Sequence, residues 1–124
     1  MSILFFQAYW QLVIFDWCLA RRDFRYVYER VRNCPVAGKT TPADSVERIC
    51  LAIDVAAIWY RREVLCLQRS AATTCLLRRK GIRAEMVIGA QQTPFKAHAW
   101  VEVGGRVVND RTYTPDLYAV LDRC

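Results

Sequence analysis

A chain of 124 residues with 54 % apolar and 12 % aromatic residues is long enough for one domain with its own core, which excludes a disordered chain. The formal charge of +6 is carried mostly by arginine, scattered along the chain and in places paired, as at Arg21-Arg22, Arg61-Arg62 and Arg78-Arg79. No nucleic-acid motif surrounds them, so no nucleic-acid partner is expected and the basic surface reads as a solvated one.

Residues 3 to 20 are apolar, but no basic residue precedes them and Gln7, Gln11 and Asp16 interrupt them. That pattern argues against a secretory signal and against a membrane span. It predicts a helix over Ile3 to Arg21, buried or docked on a partner. A chain that is not secreted does not use its six cysteines as a disulfide framework. A cytoplasmic protein with mostly free thiols is therefore expected. No C-x-x-C pair accompanies the single histidine, so neither a metal nor a cofactor is expected.

A second short helix is predicted over Phe24 to Arg32, then a loop over Cys34 to Lys39. Thr41 reads as an N-cap, Pro42 as the first helical position, and Asp44 suits the positive helix end. That helix runs to about Tyr60, with Val46, Ile49, Cys50, Ile53, Ala57 and Tyr60 at helical spacing. The next begins near Cys66 and stops at Gly81, with Arg78, Arg79 and Lys80 at its negative end. Strands are predicted over Ala84 to Gly89, Ala97 to Val103 and Arg106 to Asp110, with a last helical turn over Pro115 to Leu121. The expected class is α+β in a single domain, residues 1–124. Residues 1–45 form its helical N-terminal part and residues 46–124 its catalytic core, where a helix is followed by a small antiparallel sheet.

Three residues in that core form a chemical set. Cys66 opens a helix, where the thiolate is favoured. His98, the only histidine, lies in a strand, and Asp110 ends the next strand. A thiol nucleophile, an imidazole base and a carboxylate that orients the base make a cysteine hydrolase or acyltransferase. Cys75, nine residues after Cys66, lies about half a turn away on the same helix and reads as core. The hairpin tests the set. A two-residue turn at Gly104-Gly105 pairs Val103 with Arg106 and Ala99 with Asp110, so Asp110 faces away from His98. A three-residue loop, Val103-Gly104-Gly105, instead opposes Glu102 to Arg106, Trp100 to Val108 and His98 to Asp110, and is the expected arrangement. Asp116, beyond Pro115, is a weaker orienting candidate.

Cys66-Leu67-Gln68-Arg69-Ser70, Leu76-Leu77-Arg78-Arg79-Lys80-Gly81-Ile82, Val87-Ile88-Gly89, Pro94-Phe95-Lys96-Ala97-His98-Ala99-Trp100-Val101-Glu102 and Val107-Val108-Asn109-Asp110 together resemble the lasso-peptide leader peptidases. These belong to the transglutaminase-like branch of papain-type folds. The resemblance covers about residues 46 to 120. It implies a Cys66-His98-Asp110 protease triad that removes the leader from a lasso-peptide precursor, before a separate cyclase closes the core peptide. It also implies the stand-alone protease half of a split system, since the chain leaves no room for a leader-binding domain. The partners implied are the precursor peptide, a leader-binding protein and the lasso cyclase. The family's precursors usually carry threonine next to last in the leader.

Backbone N–H groups at the start of the Cys66 helix are the expected oxyanion donors. Gln68, Phe95 and Trp100 are the weaker candidates for substrate contact. Gln68 is close to Cys66 but reads equally as an exposed helix residue. Phe95 ends the Gln91-Gln92-Thr93-Pro94-Phe95 connection, and Trp100 shares a strand face with His98. A transglutaminase-like acyltransferase with the same triad and a non-catalytic peptide-binding module stay open.

Overall fold

The computed structural model describes residues 2–38, 45–60, 64–92 and 95–124. Helices α1 (Ser2–Arg21), α2 (Phe24–Arg32), α3 (Ser45–Trp59) and α4 (Cys66–Arg79) precede a sheet of β1 (Ala84–Gln92), β2 (Phe95–Val103), β3 (Arg106–Val107) and β4 (Ala119–Arg123), with a short helix α5 (Thr114–Leu117) before β4. The sheet is antiparallel throughout, in the order β3-β2-β1-β4. The fold is α+β.

Local chemistry explains most boundaries. Asp23 caps α2 by accepting the Tyr26 N–H at 2.9 Å. Gly81 ends the α4 region at a φ of 85°, a left-handed conformation that glycine adopts without strain. The Ile82 N–H reaches the Leu77 carbonyl and the Gly81 N–H the Arg78 carbonyl, each at 3.0 Å, so the last carbonyls of the helix are satisfied in a Schellman arrangement. Thr41, Pro42 and Asp44, the expected start of α3, lie outside the described residues.

The core joins the helices to one sheet face. Leu12 and Phe15 of α1, Val27 and Val31 of α2, Ile53 of α3, Leu76 of α4, Met86 of β1 and Val101 of β2 are fully buried. Burying each such side chain contributes about 1.5–3 kcal/mol. Helix α4 is buried along nearly its whole length, including Thr73, Thr74 and Arg78, so it is the central helix rather than an amphipathic surface one. Arg78 departs from the expected surface role at a helix end. It is 7 % exposed, and its guanidinium donates to the carbonyls of Ala84 (2.9 Å), Val31 (2.5 Å) and Cys34 (3.3 Å). It thereby ties α2 and the start of β1 to α4. By length and composition α1 could cross a membrane, yet Ala8, Leu12, Phe15 and Cys18 on its inner face belong to this core.

Three strand expectations are corrected. β1 and β2 are longer than expected, reaching Gln92 and starting at Phe95, so Gln91, Gln92 and Phe95 are strand rather than loop. β3 keeps only two residues. The expected helical turn over Pro115 to Leu121 stops at Leu117, and the chain then pairs with β1 as β4. All five β4 residues are exposed, so no alternation of apolar and polar positions marked them as a strand.

Candidate active site

Strand β2 and helix α4 bring the site together. Cys66 is the first residue of α4, at the end where the helix dipole is positive. It lines a pocket of about 130 Å³ with Phe24, Leu67, Ile88, Ala97, His98 and Ala99. Cys66 and His98 therefore face one apolar hollow.

The helix start that presents Cys66 is held from outside. Leu65 precedes α4 and has no capping side chain, so Gln68 reaches back and accepts the Leu65 N–H at 2.9 Å. The other end of the Gln68 amide donates to Asp16 at 3.3 Å, and the Tyr60 hydroxyl donates to the second Asp16 oxygen at 2.8 Å. Gln68 is 5 % exposed. It is thus neither the exposed helix residue of one expectation nor open to solvent for substrate. Asp16, which interrupted the apolar run of α1, is the far anchor of this chain of bonds.

His98 Nε2 lies 2.5 Å from Asp110 Oδ2, with the two side chains 24 % and 28 % exposed. A proton on Nε2 bridges to the carboxylate, which leaves Nδ1 as the second ring nitrogen. Burial pushes the Asp110 carboxyl up. The His98 hydrogen bond, the Arg111 N–H at 2.7 Å and the charges of His98 and Arg69 outweigh it and hold the group below its usual range.

The route by which Asp110 meets His98 differs from the one expected. The hairpin has the two-residue turn: Val103 pairs with Arg106 and Glu102 with Val107, not Glu102 with Arg106. Gly104 and Gly105 both have positive φ, 60° and 79°, as a type I′ turn demands. In a continued ladder Asp110 would face the wrong side. The ladder instead stops. Val108 N–H still donates to the Val101 carbonyl at 3.0 Å, but the Val101 N–H donates to the side-chain Oδ1 of Asn109 at 2.8 Å. The chain leaves the sheet there, and Asp110 swings to the imidazole.

Trp100 is fully buried, so it is no substrate contact. Its indole N–H donates to Glu102 at 2.9 Å, and its ring stacks beside His98 at 6.1 Å. Tyr118 stacks on the imidazole itself, 5.2 Å away at 26°. Phe95 is 73 % exposed at the start of β2. Asp116 is exposed on α5. Tyr118, Asn109 and Ser70 were missed by sequence reasoning. A glycine inside a strand was the available signal for the aromatic pair. Gly89 pairs with His98, and a Cβ there would lie 2.7 Å from the Trp100 ring and 2.9 Å from Tyr118 Cβ. Gly89→Ala is therefore expected to lower stability by about 1–3 kcal/mol, read as a lower midpoint in urea unfolding.

The remaining thiols are distinguishable. All six cysteines are free. Burial pushes Cys18, Cys75 and Cys124 up, and Cys50 up to about 12. In Cys75 the hydrogen bond to Cys34 raises the thiol even more than burial does. Cys34 goes the other way, to about 6, because Cys75 hydrogen-bonds to it and Arg78, Arg79 and Arg30 lie near, against a smaller effect of burial. It lines a different pocket, of about 510 Å³, which it shares with Cys75 and which contains no histidine.

Comparison with known proteins agrees with this architecture. "Microcin J25-processing protein McjB" of Escherichia coli is 43 % identical over 56 residues, 45 % of this chain and 27 % of that protein. The chain thus spans about a quarter of that relative's length. No solved structure matches significantly. The model of the transglutaminase-like superfamily matches residues 9–123, nearly the whole length, and the chain belongs to that superfamily.

Proposed function

We propose that this chain is a cysteine peptidase that removes the leader from a lasso-peptide precursor, with Cys66, His98 and Asp110 as its triad. The observation that carries the reading is the His98–Asp110 bond at 2.5 Å beside a pocket that His98 shares with Cys66 at a helix N-terminus. The 43 % identity to a protein named for processing microcin J25 supports the substrate class.

In this mechanism Nδ1 of His98 takes the Cys66 proton, and Asp110 stabilises the imidazolium through Nε2. The thiolate attacks the carbonyl at the leader–core junction. Backbone N–H groups at the first turn of α4 stabilise the oxyanion, each worth about 3 kcal/mol. His98 returns the proton to the leaving amine, the new N-terminus of the core peptide, and water hydrolyses the thioester. Incubation with a lasso precursor, read by mass spectrometry, tests the reading. Hydrolysis yields two fragments whose masses sum to the precursor plus one water. A product joined to an amine without added water identifies an acyltransferase, and an unchanged precursor identifies a binding module.

A leader-binding protein is the proposed partner, docked on the outer face of α1. Ile3, Phe6 and Trp10 are exposed there and line a groove of about 590 Å³ rimmed by Arg79 and Lys80. Phe5 and Tyr9 pack inward and are excluded from that surface. Holding the leader beside the enzyme makes encounter nearly intramolecular, an acceleration of about 10²–10⁴. Deleting α1 would remove Leu12 and Phe15 from the core, so point variants are the test. Phe6→Ser with Trp10→Ser is expected to cut the partner's acceleration at least ~10-fold and leave partner-free cleavage unchanged. Undiminished acceleration places the dock elsewhere.

A further inference from the structure

The bond that releases Asp110 from the hairpin is part of a larger junction. Asn109 Oδ1 accepts the Val101 N–H at 2.8 Å, in place of the backbone carbonyl that a continued ladder would supply. Its Nδ2 donates to the Ser70 hydroxyl at 3.1 Å, and that hydroxyl donates to the Ala99 carbonyl at 3.0 Å. Ser70 is 1 % exposed. It lies four residues after Cys66, one turn along the same face of α4. Ala99 follows His98, and Asn109 precedes Asp110. His98 and Asp110 are thus each adjacent in the chain to a member of the same hydrogen-bonded set, and Cys66 lies one helical turn from the third.

Resting on the peptidase reading, we propose that Asn109 is a positioning residue that ends the β2–β3 ladder and, through Ser70, sets the Asp110–His98 pair against Cys66. No backbone group can do this work. A carbonyl at that place would keep the chain in the ladder, where Asp110 faces away from the imidazole. A primary amide accepts from the strand and donates to the helix at once, which neither aspartate nor alanine does. With aspartate at 109 the Ser70 hydroxyl has to turn toward the new carboxylate and release Ala99. With alanine the Val101 N–H loses its partner.

Two readouts separate positioning from a general structural role. The first is kinetic. Asn109→Ala is expected to lower kcat about 10²-fold with KM nearly unchanged. Because Asn109 acts through Asp110, the double variant with Asp110→Asn is expected to be no slower than Asp110→Asn alone. The second is the rate of Cys66 alkylation by iodoacetamide at one fixed pH, followed by peptide mass spectrometry so that Cys34 is counted apart. In the wild type, Cys66 is expected to be alkylated faster than the buried Cys75, and in Asn109→Ala about tenfold more slowly than in the wild type. Should Asn109→Ala lose its fold by circular dichroism, Ser70→Ala breaks one leg of the set and is expected to show the same non-additivity with Asp110→Asn. Multiplying losses in the double variant, or equal Cys66 alkylation rates in wild type and variant, overturn the inference and leave the triad standing. Alkylation of wild-type Cys66 no faster than that of Cys75 overturns both.

Discussion

Cys66→Ala is expected to abolish precursor cleavage, a fall in kcat of at least ~10⁴-fold, while Cys75→Ala keeps most of it. The two residues share α4 and nothing else of consequence. Cys66 begins the helix, partly exposed on the pocket that holds His98. Cys75 is 2 % exposed among core side chains, and its thiol is pushed up by its hydrogen bond to Cys34 and by burial. Cys34 is the sharper control. Its thiol is lowered by the Cys75 hydrogen bond and by nearby Arg78, Arg79 and Arg30, yet it lines a pocket away from His98. A lowered thiol alone does not make a catalytic nucleophile; an imidazole that takes its proton and returns it to the leaving group is needed too. Cys34→Ala is therefore expected to retain cleavage. Rates from single-turnover assays of the three variants settle the assignment, and near-wild-type turnover by Cys66→Ala would sink the peptidase reading.

His98→Ala is expected to be nearly as inactive, because no other histidine exists to replace it. Asp110→Asn is expected to lose less, retaining about 10- to 100-fold more activity than Cys66→Ala, since an orienting carboxylate is less essential than the nucleophile. The carboxamide still accepts a hydrogen bond from Nε2 but no longer stabilises the imidazolium by charge. Asp116→Asn, exposed on α5, is expected to be unaffected. Its loss together with full activity of Asp110→Asn would reverse the assignment. A pH series adds a second reading. The Asp110 carboxyl is lowered on folding, so its ionised form adds stability that is present above about pH 4, the unfolded range of aspartate, and is lost as the pH falls through the lowered folded value. Thermal unfolding of wild type and Asp110→Asn should therefore differ most above that range and converge in stronger acid.

Local sequence is enough to place helices α1 to α4 and to bring Cys66, His98 and Asp110 forward as a candidate set. Helix α2 begins and ends where expected because Asp23 is a local cap, and α4 stops before Gly81 because a glycine is needed there. Cys66 at a helix start and a lone histidine in a strand are likewise local facts. The His98–Asp110 pair was expected as well, but for the wrong reason. A regular ladder with a two-residue turn faces Asp110 away from His98 and so calls for a three-residue loop, but the ladder is not regular: it stops at Asn109. Where a ladder ends depends on a side chain finding a partner on another element, here Asn109 on Ser70 of α4, and no local pattern encodes that. The same holds for Gln68 and Arg78. Each is a residue type that usually meets solvent at least in part, and each is buried because a distant group, Asp16 or the Val31 carbonyl, satisfies its polar atoms. Strand β4 belongs to this class too. Its side chains are all exposed, so only its pairing with β1, decided across more than twenty intervening residues, makes it a strand. Local propensity and periodicity act over one or two turns of chain; partners for buried polar groups are chosen by the packed fold.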